Sequence, residues 1–403
     1  MNKLLTRSFQ AVARPAAYVL NWREPELLIG ADSFKRLPTN LVDRKISKLL
    51  IVTDEGIRDS GLLDDFLNGL EENGITSSIY DQVEPNPTIQ IAEEIAIAFN
   101  QLHADAMIAV GGGSVIDATK AAGIAIIKPQ KPLKSFKGLM TVRKDIPYLI
   151  AVPTTAGTGS EGTLAAVITD SKSRKKYTIM DTNLIPDVAV LDANLLKSLP
   201  KHLIAGPGMD TLTHAVEAFI GLSNTKETEK YAEDAVELVF ENLVEVYDHK
   251  ENEDARENML KASYYAGRAF HRAYVGYVHA MSHALSAFYN LPHGQTNATI
   301  LPIILRLYGE AVYPDLATLA GYAGIAKNGA SDKENALHFI DKIEEMNDYM
   351  EIPSNIPEIK ESDLKALAKH ASNEANPLYP VPVLFDEEDL VEAFKIVKGE
   401  KNE

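Results

Sequence analysis

Cysteine is absent from the 403-residue sequence. That excludes disulfides, thiolate nucleophiles and any zinc or iron–sulfur site built on cysteine. A bound metal would have to be held through nitrogen and oxygen. Basic charge is scarce too: 40 Lys and Arg stand against 57 Asp and Glu, a formal net charge of −17. An acidic surface repels phosphodiester backbones, so no nucleic-acid partner is expected. A phosphate-bearing cofactor is still allowed, because glycine loops bind phosphate through backbone N–H groups. No run approaches the 18 consecutive apolar residues of a membrane span, and no membrane partner is expected. The first 20 residues carry Lys3, Arg7 and Arg14 and no acid, a faint likeness to a transit peptide. Arg7, Gln10 and Arg14 interrupt the apolar core that a secretory signal needs. The expectation is a short segment packed on the surface of a cytoplasmic protein. Internal repeats and low-complexity segments are also missing.

What is present is an ordinary globular composition, 45% hydrophobic and 24% charged, on a chain long enough for two domains. From Lys48 onward, short apolar runs alternate with amphipathic ones. Strands are expected at 49–54, 76–80, 106–110, 148–153 and 188–191, and helices between them, one reaching to about Asn73. Strands alternating with helices imply a parallel sheet covered on both faces. After Pro200 the period is helical and no convincing strand follows. The expected architecture is an α/β, Rossmann-like nucleotide-binding domain over residues 1–199, then an all-helical metal-binding and catalytic domain over 200–403.

Three stretches of the first half carry chemistry. Gly111-Gly-Gly-Ser114 follows a strand and opens a helix, where unhindered N–H groups and the helix dipole favour a pyrophosphate; a tight turn with Ser114 as helix cap is the plainer alternative. Asp117 and Lys120, three apart on that helix, either face the site or pair with each other. Asp54 ends a strand, where a carboxylate accepts ribose hydroxyls and repels a 2′-phosphate; a cap for the next helix explains it equally well. Pro153-Thr-Thr-Ala-Gly-Thr-Gly-Ser-Glu161 is a hydroxyl-rich loop after another strand.

In the second half, Asp210 and His214 share one helix face by their four-residue spacing. His279 and His283 repeat that spacing, and His293 follows in a Pro-His-Gly turn. One carboxylate with imidazole nitrogens suits Fe(II) or Zn(II). Spacing does not say whether His279 or His283 is the ligand. Five of the ten histidines, at 103, 202, 249, 338 and 370, lie outside any constellation.

With these segments in order the chain resembles the iron-dependent (group III) alcohol dehydrogenase family. The matching pieces are Gly-Gly-Gly-Ser-Val-Ile-Asp-Ala-Thr-Lys, Pro-Thr-Thr-Ala-Gly-Thr-Gly-Ser-Glu, Gly-Met-Asp-Thr-Leu-Thr-His-Ala-Val-Glu-Ala and Val-His-Ala-Met-Ser-His-Ala-Leu-Ser-Ala-Phe-Tyr-Asn-Leu-Pro-His-Gly. The resemblance implies a dehydroquinate synthase-like architecture and metal ligands at Asp210, His214, His279 and His293. It places His283 beside nicotinamide and substrate as a proton relay. Asp54, Asn86, Gly112, Gly113, Ser114, Thr154, Thr155, Thr158 and Lys176 match its cofactor cleft, with NAD favoured over NADP. It further implies a small alcohol or aldehyde as substrate, Fe2+ or Zn2+ as metal, and a homodimer or larger homo-oligomer. Alternatives on the same fold are a glycerol dehydrogenase or maleylacetate reductase type of oxidoreductase and a sugar-phosphate cyclase. A non-catalytic nucleotide-binding protein would leave the metal-competent residues without a purpose. The chain departs from the common Phe-Ser-Asn-Ala-Gly-Leu-Gly pattern with Phe270-His-Arg-Ala-Tyr-Val-Gly276, so His271, Arg272 and Tyr274 are expected to alter the substrate pocket. Gly162 replaces the Val usual after Gly-Ser-Glu.

Overall fold

The computed structural model describes residues 6–11, 22–171 and 175–400. The chain divides into two compact units, Asn21–Ser198 and Leu199–Glu403, the second joined by the N-terminal segment up to Leu20. The described helical residues 6–11 (α1) account for that joining. Arg7 donates from Nη1 to the Val381 carbonyl at 2.8 Å and from Nη2 to the Pro382 carbonyl at 2.9 Å. Gln10 Nε2 donates to the Tyr379 carbonyl at 2.7 Å. Sequence order counts these residues with the α/β half; their donors instead satisfy loop carbonyls of the helical unit, which no helix or sheet ladder would otherwise use.

The α/β unit is built on a six-stranded, all-parallel sheet in the order β1-β9-β6-β4-β2-β3. The strands are β1 (Glu26–Ile29), β2 (Lys48–Val52), β3 (Thr76–Tyr80), β4 (Ala106–Gly111), β6 (Tyr148–Pro153) and β9 (Val188–Leu191). Ala106–Gly111 and Val188–Leu191 are buried at every position, as expected of strands covered on both faces. Edge strand β1 was not visible in the sequence because four half-exposed residues make too short a pattern. A second, three-stranded sheet holds β5 (Gly138–Leu139), β7 (Ala165–Asp170) and β8 (Lys175–Met180), with β7 and β8 antiparallel. In β8 polar and apolar residues alternate over Lys176-Tyr-Thr-Ile179, with Tyr177 and Ile179 buried, the period-2 signal that could have revealed this hairpin.

Helices α2 (Ser33–Asp43), α3 (Glu55–Asp59), α4 (Asp64–Glu72), α5 (Ile89–Leu102) and α6 (Gly113–Ile127) connect the strands. The single helix expected up to Asn73 is therefore two. The turn Glu84–Thr88 stays non-helical, and Thr88 caps α5 by accepting from Ile91 N–H.

The second unit has helices and no strand among its described residues: α7 (Lys201–Ile220), α8 (Lys226–Asp248), α9 (Glu253–Ala273), α10 (Tyr277–Tyr289), α11 (His293–Tyr308), α12 (Tyr313–Tyr322), α13 (Asp332–Tyr349), α14 (Leu364–Ala375) and α15 (Glu387–Lys398), with short 3-10 turns and loops between them. From Gly208 to Ile220 every residue of α7 is buried, so this helix is enclosed by its neighbours rather than amphipathic. No helix among the described residues is long and apolar enough to cross a membrane.

Candidate metal centre and nucleotide-binding loops

Among the described residues, Asp210, His279 and His293 are the set whose donor atoms all lie within 4.8 Å of one another. They come from α7, the first turn of α10 and the first residue of α11. Close approach of α7 and α11 depends on glycine: a Cβ on Gly294 would lie 2.5 Å from the Gly206 carbonyl oxygen and 2.7 Å from its carbon. Backbone atoms cannot rotate aside, so Gly294→Ala must push the two helices apart. We expect it to weaken metal binding about tenfold or more while leaving the helical content intact. Competition with a chromogenic chelator measures this; parental affinity would overturn it.

The groups behind these three donors are as closely fixed as the donors themselves. Glu217, one turn beyond His214, places Oε2 2.6 Å from His279 Nδ1, and its Oε1 accepts from Val278 N–H at 2.8 Å. A carboxylate only accepts, so Nδ1 carries a proton and, in the neutral ring, Nε2 presents the lone pair. That Nε2 is buried without a hydrogen-bond partner; Asp210 Oδ1, 3.6 Å away, is too distant for one. The donor set thus fits a divalent metal. Asn297 Nδ2 donates to Asp210 Oδ1 at 2.7 Å and lies 3.1 Å from His293 Nε2, tying two of the three together. Ser282 Oγ lies 3.1 Å from His293 Nδ1.

His214 stands beside this group rather than within it. Its ring stacks on Phe270 at 4.2 Å and on His279 at 4.4 Å. Burial would push the Asp210 carboxyl up, yet His214, His293 and His279 outweigh it and hold the group well below the usual range. Burial likewise disfavours a charged His279, but Asp210 and Glu217 raise it to about 9, so without a metal Nε2 holds a second proton at neutral pH, which a metal displaces on binding. His283 is half-buried, its ring stacked on His293 at 5.0 Å and its Nδ1 2.6 Å from Glu374 Oε1. Spacing could not separate His279 from His283; the Glu217 and Glu374 partners do, since they turn the two rings to different neighbours. Glu217 was legible as the i+7 position of the Asp210 face, and Asn297 as i+4 from His293; Glu374 carried no local signal.

In the α/β unit Asp54, Gly112–Ser114 and Thr154–Thr158 follow the C-terminal ends of β2, β4 and β6, while Asn86 lies in the loop after β3 and Lys176 in β8 of the second sheet. From β2 the chain moves to edge strand β3 and returns to β4 on the other side of β2, which opens a crevice between the two. Asp54 follows β2, and Gly111–Ser114 follows β4. Asp54 Oδ1 accepts from Ile57 N–H at 2.9 Å, so it does cap α3, using one of its two oxygens. Gly112 is the extended N-cap of α6 and offers no side-chain cap; Ser114 lies inside the first turn rather than capping it. Val115 N–H already donates to the Gly112 carbonyl at 3.0 Å, so the N–H groups of Gly113 and Ser114 are the ones of this turn left for an anion. A Cβ on Gly113 would come within 2.6 Å of Thr158, and one on Gly112 within 3.4 Å of Thr155 Oγ1. The glycines let this turn lie against the hydroxyl loop, and Thr154 N–H donates to the Gly111 carbonyl at 3.1 Å. Asn86 adopts φ 60°. The adjoining Pro87 carbonyl accepts from Thr169 N–H at 2.8 Å, and Thr169 pairs with Lys176 across the β7–β8 hairpin. Asn86 and Lys176 are thereby brought towards one another. The cradle fits a dinucleotide.

Lys120 and Asp117 do not face this cradle. Both point into the protein around Ser160: Lys120 Nζ donates to the carbonyls of Ser160, Thr163 and Ala165 at 2.6–2.9 Å. Asp117 accepts from Ser160 Oγ at 2.6 Å and Val167 N–H at 2.9 Å. Burial lowers Lys120 to about 8 against the pull of Asp117 and Glu161, and raises the enclosed Glu161 to about 7.

Among the departures, Arg272 reaches Glu227 at 3.0 Å. Tyr274 takes φ 68° and ψ 179°, a conformation glycine adopts freely and other residues under strain. His271 is buried.

Two family models match the chain: iron-containing alcohol dehydrogenase over residues 25–193 and the C-terminal part of the Fe-containing alcohol dehydrogenase family over 204–397. The 1,3-propanediol dehydrogenase of Citrobacter freundii is 36% identical over 353 residues, 86% of this chain and 90% of its own. The NAD-dependent methanol dehydrogenase of Bacillus methanolicus is 34% identical over 349 residues, 86% and 91% of the two chains. A solved structure of 1,3-propanediol oxidoreductase matches with a TM-score of 0.90 at 33% identity, covering 94% of this chain and 100% of that one. The chain therefore belongs to the iron-containing alcohol dehydrogenase family and is a metal- and NAD(P)-dependent oxidoreductase that interconverts an alcohol and its carbonyl compound.

Proposed function

We propose that Asp210, His214, His279 and His293 hold Fe2+, with Zn2+ the alternative, and that the dinucleotide is NAD. The substrate in this reading is a short alcohol or diol, or the matching aldehyde. Residues up to 199 then serve the dinucleotide and those from 200 the metal. The observation that carries the ligand assignment is the Glu217 carboxylate on His279 Nδ1, which reserves a buried Nε2 lone pair beside Asp210. When bound, the metal polarises the alcohol or carbonyl oxygen and the nicotinamide accepts or returns a hydride.

The chain's own residues do the rest. Glu217 fixes the His279 tautomer, Asn297 holds Asp210 and His293 in register, and the buried walls exclude bulk water. His283 takes or returns the hydroxyl proton at a ring nitrogen. In the α/β unit, N–H groups at Gly112, Gly113 and Ser114 serve the pyrophosphate, and the hydroxyls of Thr154, Thr155 and Thr158 line the same loop. Asn86 and Lys176 reach the nucleotide from the hairpin side. The second oxygen of Asp54 accepts ribose hydroxyls and repels a 2′-phosphate, which supports NAD.

Relatives named for 1,3-propanediol and methanol support a small substrate. The Arg272–Glu227 pair counts against a phosphate-binding cyclase, which needs free basic groups near the metal. A homodimer or larger assembly and a cytoplasmic setting complete the reading, supported by the family resemblance and by a cysteine-free chain that suits a reducing compartment. Stripping the enzyme with a chelator should lower turnover at least ~100-fold, and Fe2+ should restore it. Rates over short alcohols and diols with NAD and NADP complete the test. Full activity without metal would sink the metal assignment, restoration by Zn2+ but not Fe2+ would overturn iron, and a preference for NADP would overturn the role given to Asp54.

A further inference from the structure

We infer that Glu374 is a positioning residue for His283. It sets the His283 tautomer and so decides which ring nitrogen meets the substrate hydroxyl. The inference rests on the reading of His283 as proton relay. Glu374 lies on α14, and its Oε1 collects two groups: His283 Nδ1 at 2.6 Å and the Tyr379 hydroxyl, which donates at 3.0 Å. The carboxylate is held below the usual carboxylate range: burial pushes it up, but His283, Tyr379 and His370 outweigh that push. An ionised carboxylate accepts and never donates. Nδ1 of His283 is therefore the N–H, and Nε2 is the lone pair. Stacking on His293 at 5.0 Å with an interplanar angle of 17° holds the same ring orientation. Tyr379 is itself enclosed and holds the same carboxylate oxygen that meets His283.

With this tautomer, alcohol oxidation balances simply. The substrate O–H proton passes to His283 Nε2 while the carbinol hydride, with its electron pair, passes to the oxidised dinucleotide. The imidazolium so formed keeps its Nδ1–H on Glu374, whose negative charge stabilises it. The proton itself stays on the imidazolium until water removes it. Without Glu374 the imidazole would be free to protonate at either nitrogen, and the productive form would be one of two. Glu217 does the same for His279 one turn earlier on α10, so a single helix presents two histidines of fixed tautomer, one for the metal and one for the proton.

The test uses Glu374→Ala, Glu374→Gln, His283→Ala and the Glu374→Ala/His283→Ala double variant in the full-length enzyme, metal-loaded and then metal-free. Glu374→Ala should lower kcat roughly 10–100-fold with little change in the alcohol KM and with parental metal content. Glu374→Gln, which retains an acceptor oxygen, should recover part of that loss. In the His283→Ala background, removing Glu374 should cost nothing more. Nitrogen-15 NMR of labelled histidine in the metal-free protein should show His283 protonated at Nδ1 in the parent and a mixed tautomer in Glu374→Ala. Equal losses in both backgrounds, or an unchanged tautomer in Glu374→Ala, would overturn the inference. A fully active His283→Ala would instead defeat the relay reading on which the inference stands, and the NMR result would still report whether Glu374 sets the tautomer.

Discussion

Replacing His279 by alanine should abolish metal binding and lower turnover by at least ~1,000-fold, the largest effect expected of any single substitution in the chain. Two deficits combine. The site loses a nitrogen donor whose orientation Glu217 fixes from 2.6 Å. It also leaves Glu217 buried, with one oxygen still on Val278 N–H and the other facing a void. Metal content by plasma mass spectrometry and steady-state turnover should fall together, with little change in α-helical content, since α10 keeps the same neighbours. An active, metal-free His279→Ala enzyme would contradict the assignment. Glu217→Ala should act in the same direction and less strongly, weakening metal affinity roughly 10–100-fold.

Lys120→Met should destabilise the α/β unit by about 3–5 kcal/mol, the cost of breaking a buried charge network by removing one partner. Methionine fills nearly the same volume, so packing loss is a minor part. What is lost is the cation that draws the Ser160, Thr163 and Ala165 carbonyls and the Ser160 and Thr163 hydroxyls to one point. Asp117 would remain enclosed with its charge uncompensated. Because Ser160 and Thr163 continue the Thr154–Thr158 loop, cofactor affinity should fall as well, while metal content stays at the parental level. Denaturant unfolding followed by circular dichroism, together with a dinucleotide titration, reads both effects. A cost below about 1 kcal/mol would mean that water replaces the ammonium without difficulty.

Much of this was legible from local pattern. Continuous apolar runs at 49–52, 106–110 and 149–152, alternating with helical stretches, read as strands covered on both faces, and Gly111–Ser114 after such a run as a helix start. The four-residue spacings of Asp210 with His214 and of His279 with His283 put side chains on shared faces whatever those helices packed against. Strand β1 escaped because it is four half-exposed residues, and the β7–β8 hairpin because only Lys176–Ile179 alternates while β7 reads Ala-Ala-Val-Ile. Residues 6–11 were misplaced because hydrogen bonds from Arg7 to Val381 and Pro382 span more than 370 positions, beyond any periodicity.

By itself, then, the sequence determined which side chains could bind a metal, that cysteine would not be among them, and that a parallel α/β half precedes a helical one. Those properties follow from residue chemistry and from the geometry of single helices and strands. Only the tertiary structure decided how the histidines divide their work. Asp210, His279 and His293 meet because Gly294 lets α11 lie against the backbone of α7. His279 differs from His283 because Glu217 stands behind one ring and Glu374 behind the other. The tautomer of an imidazole is set by what its far nitrogen touches, and in this chain those partners lie 62 and 91 residues away.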